Sequence, residues 1–477
     1  IITEHHSNVA LDEDNADELK RAQLLTENWS SPVIITTLVQ LLDTLFAGKT
    51  SCIRRMHALC DSVIVIDEVQ TVPNEMLSLF NTAVNFLSEV CGATIVLCSA
   101  TQPCLEQTAH PMTENIKDIV PFDEELWRVF RRTQIIDKGG MRLDAIPAFI
   151  AEQLDRTDSL LVICNLKKQA AYLFTEKNLE NTVIFHLSAG MCMAHRMTVI
   201  SEINSALEKR RTDPDAPKVV CISTQVIEAG VDVSFGCVIR LCAGLDSVIQ
   251  AAGRCNRNGE LNGAADVFII NCRGEDLGML RSIKDGKMAC MSLLSDYKYH
   301  PEKYPSGLTS DEAVYAYYKK FYIQSDIGAQ DMPIKIDGSP FTLFDLLSLD
   351  RTFANAPYLK ANGEKYALTQ AFKTAGSRFT VFGSRTTDVI VPYGEGKEII
   401  TELGSKRVEE DIKYLKKLIK KARAYTVSLY ENQRRALADS GALHPIADGI
   451  ALALSEEFYN EDFGLNLDGE SREAITL

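Results

Sequence analysis

The chain has 477 residues, 46% of them hydrophobic and 24% charged. Those proportions suit a folded globular protein and exclude a disordered chain, a fibre or a disulfide-stapled miniprotein. No apolar run approaches the roughly 20 residues that cross a bilayer, and the formal charge of −15 excludes a basic coat for duplex DNA while leaving room for a local basic channel. At roughly 150 residues per domain, about three domains are expected. The thirteen cysteines all lie between Cys52 and Cys290. None has CxxC spacing, and they read as reduced core residues of a cytoplasmic protein. The first residue is Ile1, not Met, and no signal-peptide pattern follows, which predicts a chain that has lost an upstream part.

Residues 1–30 are polar and acidic, with a helical pattern from about Asn15 to Leu25. Short apolar runs then recur: Val33-Ile34-Ile35, Val63 to Ile66 and Thr94 to Leu97. Between them Leu38, Leu41, Leu42 and Leu45, and then Met76, Leu79, Phe80, Val84 and Leu87, follow helical spacing. Continuous apolar strands alternating with amphipathic helices predict a parallel α/β sheet covered on both faces. The pattern breaks between about Pro103 and Gly140, which reads as a linker with a short element. A second α/β series follows at Leu160–Ile163, Val183–Phe185, Val219–Ile222, Cys237–Ile239 and Asp266–Ile270. After Cys272 the text turns helical and richer in tyrosine, Lys413 to Arg423 forms a basic helical stretch, and the tail is acidic. The expected division is 1–138, a first α/β domain with linker; 139–290, a second α/β domain; and 291–477, a mainly helical accessory region.

Four motifs carry chemistry. In Val63-Ile64-Val65-Ile66-Asp67-Glu68-Val69-Gln70 an apolar strand delivers two carboxylates to its C-terminal end, where ligands of open α/β sheets bind. Asp67 suits Mg²⁺, which takes few carboxylates and keeps its waters. Glu68 suits a water attacking a γ-phosphate. Taken alone, an Asp-Glu pair opening the next loop or helix is the better reading. Ser99-Ala100-Thr101 follows the next strand, and alone it is a turn. Ser223 to Asp232, with Thr224, Gln225, Gly230 and Asp232, offers hydroxyls and a glycine turn suited to phosphate or nucleotide contacts, or else a capped loop. In Gln250-Ala251-Ala252-Gly253-Arg254-Cys255-Asn256-Arg257 the two arginines stand three apart on an expected helix, so both can point one way and clamp a phosphate.

The order of these motifs, split between two α/β halves, resembles superfamily 2 helicases with two RecA-like domains. A narrower resemblance lies in Glu4-His5-His6-Ser7-Asn8, Val33 to Gln40, Ile66 to Pro73 and His186-Leu187-Ser188…His195-Arg196. These are similar to the CRISPR-associated helicase–nuclease of type I systems, a prokaryotic family. The resemblance implies two RecA-like parallel-sheet domains, the first incomplete, and an ATP-dependent helicase recruited by the Cascade complex to translocate on single-stranded DNA. It implies ATP and Mg²⁺ as cofactors. Asp67 and Glu68 become the Walker B pair, with Asp67 the metal ligand. Ser99, Ala100 and Thr101 couple hydrolysis to movement. Gln250, Arg254 and Arg257, with Gly230 and Asp232, meet the nucleotide, and Thr36, Thr37, Asn165, Ser188, Thr224 and Gln225 line the DNA path.

One part of that pattern is missing. Gly48-Lys49-Thr50 is the only Gly-Lys-Thr, yet Asp43 stands where a phosphate loop needs its first glycine, and the preceding element is a helix and not a strand. Gly48 reads as a helix C-cap. No adjacent His-Asp pair occurs, so no nuclease metal site is assigned. The expectation is therefore a chain that by itself hydrolyses ATP poorly. The competing readings are an ATPase-inactive module that docks on nucleic acid or protein, and another superfamily 2 helicase.

Overall fold

The computed structural model describes residues 2–5 and 24–467 apart from 114–115, 121–124, 126–129, 177–178, 229, 279, 325–326, 349–362, 364–369, 382–385, 406 and 409–410. The expected helix from Asn15 falls almost wholly outside the described residues. No helix of the described residues is long and apolar enough to cross a membrane.

Two compact units emerge, one from residues 1–120 and 309–383, the other from 121–308 and 384–477. This differs from the three expected parts. The region 291–477 is no unit of its own, because 309–383 groups with the first α/β series while 291–308 and 384–477 group with the second.

The first unit carries two parallel strand pairs. β1 (Ile2–His5) lies beside β2 (Val33–Thr36), and β3 (Val63–Ile66) beside β4 (Thr94–Leu97). The predicted helices form at Leu38–Phe46 and Leu77–Glu89. Met76, Leu79, Phe80, Val84 and Leu87 are all buried, as their spacing requires. β3 is covered on one face only. Ile66 is buried, whereas Val63 and Val65 are 70% and 62% exposed. A parallel strand normally buries both faces.

Gly48 lies after the helix end, whose C-cap is Ala47, and not at the cap itself. Its N–H donates to the carbonyl of Gly376 at 3.1 Å. A Cβ on Gly376 would stand 2.6 Å from backbone atoms of Gly48, so the two chains meet where neither has a side chain. The segment 309–383 is also tied to this unit by Ser78, whose hydroxyl donates to Asp331 at 2.5 Å.

The second unit is built on β5 (Thr133–Arg142), β6 (Ser159–Ile163), β7 (Thr182–Leu187), β8 (Lys218–Ser223), β9 (Cys237–Leu241) and β10 (Ala265–Arg273). They form one parallel sheet in the order β5-β10-β9-β6-β8-β7. Period-two alternation divides its two cores. Leu161 and Ile163 face the helix Met193–Thr212 through Val199, Ile203 and Leu207. Leu160, Val162 and Cys164 face the helices Ile146–Leu154 and Lys167–Thr175. β5 occupies the end of the stretch whose sequence reads as a linker with a short element. Its pattern is broken by Asp137-Lys138-Gly139-Gly140, where Gly139 takes φ +70° and the register against β10 slips.

The region after 308 is helical, as expected, and adds strands. β11 (Pro333–Ile336) and β12 (Ser339–Thr342) make a hairpin in the first unit. β13 (Thr386–Ile390), β14 (Thr426–Tyr430), β15 (Leu443–Ile446) and β16 (Ala451–Leu454) make a mixed sheet in the second, in the order β14-β13-β16-β15. A small hairpin of β17 (Tyr459–Asn460) and β18 (Gly464–Leu465) follows.

Candidate nucleotide and nucleic-acid site

In the first unit, Asp67 and Glu68 stand just past the C-terminal end of β3. Asp67 is exposed, and its Oδ1 accepts the N–H of Glu68 at 2.9 Å. Glu68 sits in the left-handed region at φ +53°, which is uncommon for a residue with a Cβ and turns the chain sharply after the strand. The amide of Gln70 donates to Glu68. The Gln70 side-chain oxygen accepts from Ser99 at 2.5 Å, and Ser99 Oγ accepts the N–H of Thr101 at 2.9 Å. Gln70 was not assigned a role from sequence, yet it links the acidic pair to the Ser-Ala-Thr turn. Thr101 is buried, its hydroxyl 3.3 Å from the hydroxyl of Tyr318. Tyr318 is itself buried. Thr36 donates to the carbonyl of His5 at 2.8 Å, and Thr37 is exposed and caps the helix Leu38–Phe46. One carboxylate with waters is enough for Mg²⁺, and exposed Asp67 at a strand end fits that need.

In the second unit the structure corrects one expectation. The helix bearing Gln250 ends at Ala252, so Arg254 and Arg257 lie in the turn beyond it and diverge. Arg254 turns inward and is buried. It donates to the carbonyls of Ile227 and Glu228 at 3.0 and 2.6 Å. Arg257 stays partly exposed and pairs with Asp232 at 2.9 Å. The turn after β8 and the arginine turn are thereby held together, with Gly230 at φ +70° between Glu228 and Asp232. Gln225 is half-buried and Thr224 is buried, its N–H donating to Leu187 at 3.0 Å.

Asn165 and Ser188 do not lie open in the structure. Asn165 is buried; it accepts from Arg240 at 2.7 Å and donates to Glu275 at 3.0 Å. Arg240 is fully buried, with an ion pair to Glu228 at 2.8 Å, and Glu275 takes Lys287 at 2.7 Å. Burial is the main cause that pushes the Glu228 carboxyl up, with Arg240 opposing it. Sequence reasoning passed over this network, although an arginine inside Cys237-Val238-Ile239-Arg240-Leu241 demands a buried partner. Ser188 is buried beneath the hairpin of β17 and β18, within 3.5 Å of the Phe463 carbonyl. Gly464 at φ +74° leans on Gly190 so closely that a Cβ there would lie 2.4 Å from its carbonyl oxygen. Beside it His195 meets the Tyr459 hydroxyl at 3.0 Å and stacks on Tyr393. Burial lowers the pKa of His186 to about 4 and also lowers that of His195.

Comparison with known proteins bears on these motifs. Residues 156–260 match the family model described as CRISPR-associated nuclease/helicase Cas3, C-terminal. A curated CRISPR-associated nuclease/helicase Cas3 of Haloferax volcanii is 25% identical over 332 residues, covering 52% of this chain and 35% of the relative. That of Methanothermobacter thermautotrophicus is 25% identical over 255 residues, covering 48% and 28%. The chain thus spans about a third of the length of these relatives. In fold it is similar to a T. fusca Cas3–AMPPNP crystal structure, with TM-score 0.56 and 14% identity over 87% of this chain and 52% of that one. The family model over 156–260 and the two curated relatives make this chain similar to Cas3 nuclease/helicases, and the T. fusca structure agrees with it in fold.

Proposed function

We propose that this chain is the motor part of a CRISPR type I interference helicase, which Cascade recruits and which moves along single-stranded DNA at the expense of ATP. The observation that carries this reading is the connection Glu68–Gln70–Ser99–Thr101 at the ends of β3 and β4. It gives an acidic pair suited to a phosphate reaction a route to the neighbouring turn. In this reading Asp67 holds Mg²⁺, which when bound neutralises charge on the phosphates. Glu68 orients the attacking water and takes its proton. Arg257, whose guanidinium is partly exposed, serves as the phosphate-contacting arginine, while buried Arg254 holds its turn to the carbonyls of Ile227 and Glu228 and Gln250, Gly230 and Asp232 shape that turn. Thr36 and Thr37 in the first unit and Gln225 in the second are the candidate strand contacts, whereas Thr224 and Ser188 are buried and act by holding their loops, and Asn165 acts through Arg240.

The chain alone is proposed to hydrolyse ATP weakly. The N–H of Gly48 is spent on Gly376 and so cannot join a phosphate cradle at Gly48-Lys49-Thr50. That same observation favours the second reading, a module that docks on single strands without turnover. Phosphate release measured with and without single-stranded DNA separates the two parts of the proposal. Background release with retained DNA binding is the expected result. A rate typical of an intact helicase overturns the inactivity of the chain, and absence of any single-strand binding overturns the motor reading.

A further inference from the structure

The helix Ile412–Ala422 places Lys413, Lys416, Lys417, Lys420 and Lys421 within nine positions and contains no acidic residue. Its other side is committed: Leu418 and Ala422 are buried against Ile399, Leu403 and Val408, with Leu415 and Ile419 packed alongside. The basic side is therefore what the helix offers outward, and Lys413, Lys416, Lys417 and Lys421 are exposed. Lys421 is held by Glu395 at 2.8 Å. Among the described residues, no ion pair engages Lys413, Lys416 or Lys417. These three stand at spacings of three and four, where like charges repel one another across a helix turn. A chain with 65 acidic and 50 basic residues has acids to intersperse there, and it has none within this helix.

We infer that this face is a docking surface for the phosphate backbone of single-stranded nucleic acid. A bilayer is a poor fit, because an interfacial helix needs its apolar side for the lipid and here that side is occupied by the protein's own core. The stripe from Lys413 to Lys417 rises only about 6 Å along the helix, enough to follow one strand. The second strand of a duplex would add its charge against an otherwise acidic protein. The surface lies outside every motif assigned to the motor, and it would serve a module that only docks on single strands equally well.

The test is fluorescence anisotropy of a labelled single-stranded oligonucleotide with the whole chain over a range of salt concentrations. Because each neutralised phosphate contributes about 0.7 to the slope of log affinity against log salt, K413Q/K416Q/K417Q should flatten that slope by about 2. Over a four-fold rise in salt the variant then loses roughly 15- to 20-fold less affinity than the parent. K413R/K416R/K417R should keep the parent slope. All these side chains are exposed, and an unchanged melting temperature confirms the fold. An unchanged slope in the glutamine variant overturns the proposal while leaving the motor reading intact; that is also the outcome if the face serves an acidic protein. Failure of the parent to bind the oligonucleotide overturns both.

Discussion

The hydroxyl of Ser99 donates to the side-chain oxygen of Gln70 at 2.5 Å, while the amide of the same glutamine donates to Glu68. One half-buried side chain thereby ties the loops after two adjacent strands.

Gln70→Ala removes both links at once. At about 0.5–1.5 kcal/mol per hydrogen bond, the first unit should lose about 1–3 kcal/mol, read as an earlier urea midpoint by near-ultraviolet circular dichroism. A midpoint indistinguishable from the parent would show that these bonds do not hold the turn.

Arg240→Met should be far more costly, because it strands the buried carboxylate of Glu228. Breaking one side of a buried pair typically costs about 3–5 kcal/mol. The dependence on pH has a definite sign. Burial already raises the Glu228 pKa above 4.5, so its contribution to stability is full below that ordinary value and is lost as the pH rises through the folded one. Loss of Arg240 raises it further. The variant should therefore be more damaged at pH 7 than at pH 5, and Glu228→Gln combined with Arg240→Met should recover much of the loss. Denaturant titrations at the two pH values check this.

His186 acts in the opposite direction. Its folded pKa of about 4 lies below the ordinary 6.5, chiefly because of burial. Its contribution is present above pH 6.5 and is lost as the pH falls towards 4. At 1.36 kcal/mol per unit, the second unit should lose up to roughly 3 kcal/mol over that range. His186→Phe should flatten that fall, leaving the part due to His195, whose pKa burial also lowers. A variant as sensitive to acid as the parent would place the titration elsewhere.

Gly376→Ala should destabilise the first unit more than Gly48→Ala. The added carbon on Gly376 meets backbone at 2.6 Å, whereas on Gly48 the nearest atom is at 3.2 Å. Overpacking of this kind costs about 1–3 kcal/mol, and melting temperatures of the two variants rank them.

Much of the fold could be read from the residues. The runs at 63–66, 94–97, 160–163 and 219–222 form strands because continuous apolar segments between turns have no other stable use in a covered sheet. β5 was hidden because an edge strand tolerates polar residues and a glycine bulge, which erase the alternation. The divergence of Arg254 and Arg257 was hidden for a different reason: their spacing fits a helix, but the helix stops at Ala252 and Asn256 takes φ +47°. The burial of Asn165 and Ser188 depends on partners far along the chain, Glu275 and Phe463, which no local pattern reveals. The return of 309–383 to the first unit is likewise a property of topology and not of composition.

That return has a consequence for synthesis. A ribosome releases residues 1–120 long before the segment 309–383 that returns to their unit, and residues 384–477 of the other unit come later still. The first unit lacks its returning segment until that stretch is made, whereas the buried cores of the six-strand sheet are already supplied by residues 146–272. A stop codon near residue 300 would therefore strip the first unit of its returning segment while leaving the six-strand sheet and its two cores in the product.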